Sequence, residues 1–291
     1  MIRPLMIGSR GVLRRVGTDV LVDVDAGVAV LTLNRPEQLN AYTADMGTLL
    51  SRAYRDCDED DDVRVIVLTG AGRAFCAGAD FSGSTSPFDT PADDTAFSAS
   101  PIDPAAFELR KPVIAALNGH AIGIGLTIAL QADVRIVADD AKYGVVQVRR
   151  GVIPDCMAHW TLAQLTNLGV AAEVLLTGRT FDGAEAVAFG IANKTVPAAQ
   201  VLDHALEMAR DIATNVAPMS AALCKRLLWD SAINGYTPRQ VASLETQLHH
   251  RVMGSDDARE GVTAFLERRS PRFSSRLSAD WTPLPEPEPE P

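Results

Sequence analysis

Two short apolar runs, at residues 20–24 and 28–33, are parted by Asp25-Ala26-Gly27, and this pattern predicts a β-hairpin. Over residues 43–57 the period changes. Met46, Leu49, Leu50, Ala53, Tyr54 and Cys57 recur at helical spacing, which predicts an amphipathic helix. An apolar run at 63–67 predicts a strand. Further strands are predicted at 113–117 and 134–137, with a helical stretch at 126–130 between them. Strand, small-residue turn and helix therefore alternate, and the alternation predicts an α/β fold. From residue 201 onward helical periods dominate, over 201–215, 219–229, 238–250 and 256–268. Residues 82–104 are rich in Ser, Asp, Thr and Pro and read as a mobile loop. The Pro-Glu repeats that end residues 281–291 cannot pack a core and are expected to be disordered.

Four segments follow: a flexible leader at 1–17, an α/β core at 18–200, a helical region at 201–270 and a disordered Pro/Glu tail at 271–291. The leader carries Arg3, Arg10, Arg14 and Arg15, like a transit peptide, but it is poor in Ser and has no clear amphipathic period. No apolar run reaches membrane-spanning length, so a cytoplasmic protein with no membrane partner is expected.

Composition narrows the chemistry. The chain has 291 residues, 47% hydrophobic and 22% charged, enough for one large core. A net charge of −10 argues against nucleic acid as a partner, although a local basic patch for phosphates stays open. Cys57, Cys76, Cys156 and Cys224 are scattered, with no Cys-x-x-Cys pair. They read as reduced thiols, and neither a disulfide frame nor a metal site is expected.

Two loops carry the candidate chemistry. Ala74-Phe75-Cys76-Ala77-Gly78-Ala79-Asp80 follows the strand at 63–67. Asn118-Gly119-His120-Ala121-Ile122-Gly123-Ile124-Gly125 follows the strand at 113–117. Small residues let a backbone approach a ligand closely, and free N–H groups there can hold a carbonyl oxygen that gains negative charge. Neither loop has the Gly-Lys-Ser/Thr ending of a phosphate loop, which disfavours nucleotide hydrolysis. Cys76 lies in the first loop and is either a nucleophile or a small packed residue.

These loops, preceded by Asn34-Arg35-Pro36-Glu37-Gln38-Leu39-Asn40-Ala41, resemble the enoyl-CoA hydratase/isomerase (crotonase) superfamily in order and spacing. Tyr143-Gly144, Gly151-Val152-Ile153-Pro154, Leu176-Thr177-Gly178-Arg179 and residues 260–268 extend the resemblance over residues 18–270. It implies a crotonase-like spiral of ββα units with a C-terminal helical trimerisation region. The implied assembly is a homotrimer or a dimer of trimers. The implied ligand is an acyl-CoA, with coenzyme A as part of the substrate and no permanently bound cofactor.

The resemblance also assigns residues. Ala77 and Ile124 are expected to offer the oxyanion N–H groups, Ile124 standing where the family usually has glycine. Arg35, Gln38, Asn40, Gly78, Ala79 and Asp80 are expected to line the CoA site. Lys225 and Arg226 either reach CoA phosphates or are solvated helix charges. Thr127 and Gln147 occupy the positions of the two hydratase glutamates and are expected to bind substrate, yet neither side chain ionises near neutral pH. General-base catalysis needs a group with a pKa near the working pH, so ordinary hydration is not expected.

Asp155 remains as the candidate acid–base. Related dienoyl-CoA isomerases have a proton-transferring aspartate there, and 4-chlorobenzoyl-CoA dehalogenase has its nucleophile there. Alternatively, Asp155 only caps the helix that follows. His159, four residues on, either orients Asp155 or packs structurally. The expected function is an atypical hydratase/isomerase-type enzyme that stabilises a thioester enolate, of the lyase or isomerase kind, acting in fatty acid metabolism. The alternatives are a non-catalytic acyl-CoA binding protein and a C–C bond hydrolase of the same superfamily.

Overall fold

The structure is a computed structural model, and it describes residues 12–15, 17–82 and 98–287. The predicted hairpin is present as β2 (Val20–Asp25) and β3 (Val28–Leu33), paired antiparallel from Val20↔Leu33 to Asp25↔Val28. Ahead of it β1 (Val12–Arg15) pairs antiparallel with β2, so part of the expected leader is a sheet edge. The helix predicted at 43–57 is α1 (Ala44–Glu59). Its N-cap is Thr43, whose hydroxyl accepts from the Met46 N–H at 3.1 Å.

The next strands divide between two sheets. β4 (Val65–Gly70) enters the large sheet and β5 (Ala74–Cys76) the small one. β6 (Val113–Leu117) and β7 (His120–Ile122) divide the same way before α2 (Ile124–Ala129), and so do β8 (Val134–Ala138) and β9 (Tyr143–Gly144). The large sheet has the order β1-β2-β3-β4-β6-β8-β10, with β10 (Lys194–Val196) at its far edge. The small sheet has the order β5-β7-β9. β4 and β6 are buried at every residue, which is why both are dominated by apolar residues that do not alternate with polar ones.

Helices α3 (Ala158–Leu165), α4 (Leu168–Thr177) and α5 (Gly183–Ala188) follow the small sheet. α6 (Val201–Asn215) lies against β4 and β6. The last helices are α7 (Pro218–Asn234), α8 (Pro238–Met253), α9 (Asp256–Glu267) and α10 (Leu277–Asp280).

α7 is fastened to the sheets by a buried charge. Lys225 stands 2.8 Å from the Asp133 carboxylate, and it donates to the carbonyls of Ala106 at 2.7 Å and Lys111 at 2.9 Å. Trp229 donates to the other Asp133 oxygen at 2.7 Å and packs on Phe107 and Trp160. Arg226 donates to the Phe107 carbonyl and pairs with Asp230. Both readings of Lys225 are therefore corrected: it is neither a solvated charge nor free to meet a phosphate.

The expected disordered tail is also corrected as far as residue 287. Leu277 is buried, and the backbone N–H of Ser278 donates to Asp61 at 3.0 Å. Trp281 sits under the guanidinium groups of Arg110 and Arg251, with centroid distances of 5.9 and 5.7 Å. Leu277, Trp281 and Leu284 pack on the α7–α8 cluster, and Arg251 donates to the Thr282 carbonyl at 2.8 Å. Residues 1–11 and 288–291, and most of the loop predicted at 82–104, lie outside the described residues.

Removing one partner of a buried ion pair costs about 3–5 kcal/mol, because the other charge stays buried and uncompensated. Asp133→Ala is expected to lower the unfolding free energy by that amount in urea titration. An exposed pair such as Arg52–Asp56, disrupted by Asp56→Ala, should give about 0.2–1 kcal/mol.

Candidate active site

The two loops meet because one glycine allows it. A Cβ on Gly125 would lie 2.3 Å from the Cys76 carbonyl oxygen, so the start of α2 rests directly on the end of β5. Beyond Cys76 the chain turns at Gly78, whose φ of +111° lies in the region that favours glycine. Gly78 also lies close against the Ile122 carbonyl at the end of β7. The first loop is thus pressed against the segment that opens α2.

Backbone hydrogen bonds then decide which N–H groups remain open. Leu39 and Asn40 both have positive φ, and the Leu39 carbonyl accepts from the Ala77 N–H at 3.1 Å. The expectation that Ala77 supplies an oxyanion donor is corrected: its N–H is already used. Tyr42 forms a parallel bridge with Ala79, donating to the Gly78 carbonyl at 2.8 Å and accepting from the Asp80 N–H at 2.9 Å. In a parallel bridge these bonds go to the residues flanking Ala79, so the polar groups of Ala79 itself face the other way. Among the described residues no acceptor takes the N–H of Ala79 or of Ile124. The open pair is therefore Ala79 and Ile124. The Ile124 side chain is buried in the hydrophobic core, which is how a β-branched residue stands where the family has glycine.

The acid–base candidates gather beside this pair. The Thr127 hydroxyl donates to the Asp155 carboxylate at 2.5 Å. Burial pushes the Asp155 carboxyl above the usual carboxylate range, and the bond from Thr127 only partly offsets it. The Gln147 carboxamide also stands near enough to the carboxylate to oppose that rise. A Cβ on Gly123 would lie 3.8 Å from that carboxamide, so Gln147 faces the turn that leads into Ile124.

Asp155 is not a helix cap. α3 begins at Ala158, and its N-cap is Met157 in the left-handed region with no side-chain cap. Cys156 and Met157 are consecutive non-glycine residues with φ of 48° and 59°. Such conformations persist only where the surroundings fix them. Here the Cys156 N–H donates to the Ala99 carbonyl at 2.8 Å, and Gln131 donates to the Cys156 carbonyl at 3.2 Å.

Other expectations separate from the site. His159 is exposed on α3 and makes no hydrogen bond to Asp155, because the helix starts too late to align the two. Asn40 is fully buried; its amide donates to the carbonyls of Ala71 and Ala74, both at 2.8 Å, and its oxygen accepts from the Arg35 N–H. It holds the loop in shape and presents no atom to a ligand. Arg35 pairs with Asp80 at 2.7 Å, tying the first loop to the 34–41 segment, and Gln38 is exposed in a short 3-10 turn. His120 accepts from the Lys142 N–H at 2.8 Å. Burial pushes the Cys76 thiol up to about 11, which disfavours the thiolate a nucleophile needs.

Sequence reasoning missed Tyr42. Its hydroxyl is buried without a hydrogen-bond partner among the described residues, and burial raises its pKa, with Cys156 and Asp155 adding to the rise. The bridge from Tyr42 to Ala79 is a signal that only the paired backbone reveals.

Comparisons with known proteins identify the family of the chain. The family model described as enoyl-CoA hydratase/isomerase matches residues 23–276. A probable enoyl-CoA hydratase of Mycobacterium tuberculosis is 35% identical over 260 residues, covering 88% of this chain and 98% of that protein. The 1,2-epoxyphenylacetyl-CoA isomerase of Escherichia coli is 35% identical over 267 residues, with the same coverage. A crystal structure of a probable enoyl-CoA hydratase/isomerase from Mycobacterium abscessus is 54% identical, with a TM-score of 0.85 over 89% of this chain and all of that one. With its two backbone loops, its divided sheets and a match over nearly its whole length, the chain belongs to the enoyl-CoA hydratase/isomerase family.

Proposed function

We propose that this chain is an acyl-CoA isomerase in which Asp155 moves a proton on a thioester held by the N–H groups of Ala79 and Ile124. The observation that carries the reading is the half-buried Asp155 carboxylate. It is bonded by Thr127 at 2.5 Å, beside two backbone donors that no acceptor among the described residues takes. Two convergent N–H groups stabilise the oxygen of an enolate, a contribution commonly of 10²–10³ in rate per donor. The Asp155 oxygen not bonded to Thr127 takes a proton from the carbon next to the thioester. It then returns that proton to a more distant carbon of the same acyl chain, so one carboxylate completes the reaction.

Hydration needs a second group to activate water, and Thr127 and Gln147 supply none. The relatives include a probable hydratase and an isomerase, so either chemistry is at home in the family. The absence of a bond between His159 and Asp155 takes support from the C–C hydrolase reading. Arg35 and Asp80 hold the loop along which CoA would lie, with Gly78 at its turn. Phe265 and Leu266, exposed on α9, support a homo-oligomer of the trimeric kind.

Three outcomes test this reading. In deuterated buffer, wild type should exchange the α- or γ-proton of an enoyl-CoA, and Asp155→Asn should reduce that exchange by at least about 10²-fold while still binding the ester by calorimetry. Exchange absent from wild type with every ester that binds would instead favour a non-catalytic binder. Crotonyl-CoA hydration should stay well below the ~10 s⁻¹ of an ordinary enzyme. The third outcome is thermodynamic. The native state holds the Asp155 proton to higher pH than the unfolded chain does, so ionisation costs stability as pH rises through the interval above about 3.9. Asp155→Asn should therefore be more stable than wild type at pH 7, with the gap closing below about pH 4, as read from urea midpoints.

A further inference from the structure

Thr127 is joined by a second side chain that reaches the turn carrying Asp155. One helical turn further on, Gln131 lies just past the end of α2, its N–H donating to the Ile128 carbonyl at 3.2 Å. The residue is 1% exposed, and its amide nitrogen donates to the Cys156 carbonyl at 3.2 Å. Its amide oxygen has no hydrogen-bond partner among the described residues. A buried amide oxygen without a donor costs stability, and one bond at the long end of the usual range returns little of it. Gln131 is therefore a poor residue for stability alone, yet its single side-chain bond falls on a strained place. Cys156 and Met157 are held at φ of 48° and 59°, and α3 has no side-chain cap of its own. The Cys156 N–H is tied to Ala99, which lies exposed at the surface, whereas Gln131 ties the same residue to the buried interior.

We infer that Gln131 is a positioning residue for Asp155. With Thr127 it forms a two-point clamp, Thr127 gripping the Asp155 carboxylate and Gln131 the backbone of the residue that follows it. The inference rests on the isomerase reading above and adds the residue that fixes where its acid stands. Both grips come from the same short stretch as the Ile124 donor, so the thioester oxygen and the acid are placed from one element. Residues in sparsely populated backbone conformations stay there only while their surroundings hold them. With the Gln131 bond gone, the turn relaxes and the carboxylate moves away from Thr127. A misplacement of about 1 Å at a reacting group costs about 10²-fold in rate. Gln131 acts through Cys156 on Asp155 and not on the ester, so ester binding is left in place.

The test compares wild type with Gln131→Met, which keeps the side-chain volume and removes the amide. Gln131→Asn, whose amide is one methylene too short to reach Cys156, carries the same expectations should the Met variant not fold. The first readout is the titration of the Asp155 carboxyl, followed by NMR with 13C-labelled aspartate and assigned by its absence from Asp155→Asn. The bond from Thr127 favours the ionised carboxyl, so loosening it should move the Asp155 midpoint upward by about one unit. The second readout is exchange of the α- or γ-proton of crotonyl-CoA in deuterated buffer, beside calorimetric binding of the same ester. Exchange at saturation is expected to fall about 10- to 100-fold with the dissociation constant unchanged. An unmoved midpoint, or exchange as fast as in wild type, overturns the inference. So does a loss of ester binding that accounts for the loss of exchange, since that marks a residue that only supports the fold. Should wild type exchange no proton, the isomerase reading fails by itself, and the midpoint alone decides whether Gln131 positions Asp155.

Discussion

The contact between Gly125 and Cys76 is the constraint on which the site depends. Any side chain at Gly125 would collide with the Cys76 carbonyl, so the opening of α2 and the end of β5 lie backbone to backbone. That approach sets the open N–H of Ile124 beside the loop that carries Ala79. It also fixes the small sheet, since β5 and β7 run parallel through Ala74↔His120 and Cys76↔Ala121. Two polar backbone groups left open in such a place need a ligand to complete them, and a carbonyl oxygen suits both at once.

Thr127 and Asp155 extend this frame from binding to chemistry. Thr127 is fully buried on α2, three residues beyond Ile124, so the helix that offers the donor also carries the hydroxyl that holds the carboxylate. Asp155 arrives from the opposite side on a turn with two left-handed residues, pinned by Ala99 and Gln131. In the proposed reading Thr127 supports the acid and does not serve as one.

Much of this was legible in the chain. The hairpin, α1, the buried strands and α6 to α9 followed their apolar periods to within a few residues, because burial on one helix stripe or on both strand faces leaves a direct mark on sequence. The loops were found by their small residues. What stayed hidden depended on partners distant in sequence. Ala77 and Ala79 look alike as letters, and only the carbonyl of Leu39 on one and the bridge from Tyr42 beside the other tell them apart. Asn40 and Lys225 are polar, and their burial follows from hydrogen bonds to segments far along the chain. Asp155 resembled an N-cap because the start of α3 is set by a left-handed turn at Cys156 and Met157, which carries no sequence signature.

The most direct test of the central claim is a crystal structure of the protein with a bound acyl-CoA. The thioester oxygen is expected within hydrogen-bond distance, about 2.7–3.2 Å, of both the Ala79 and Ile124 nitrogens. The adjoining acyl carbons should face Asp155, and the Ala77 N–H should remain bonded to Leu39. A thioester oxygen held elsewhere, or an acyl chain directed away from Asp155, would contradict the account.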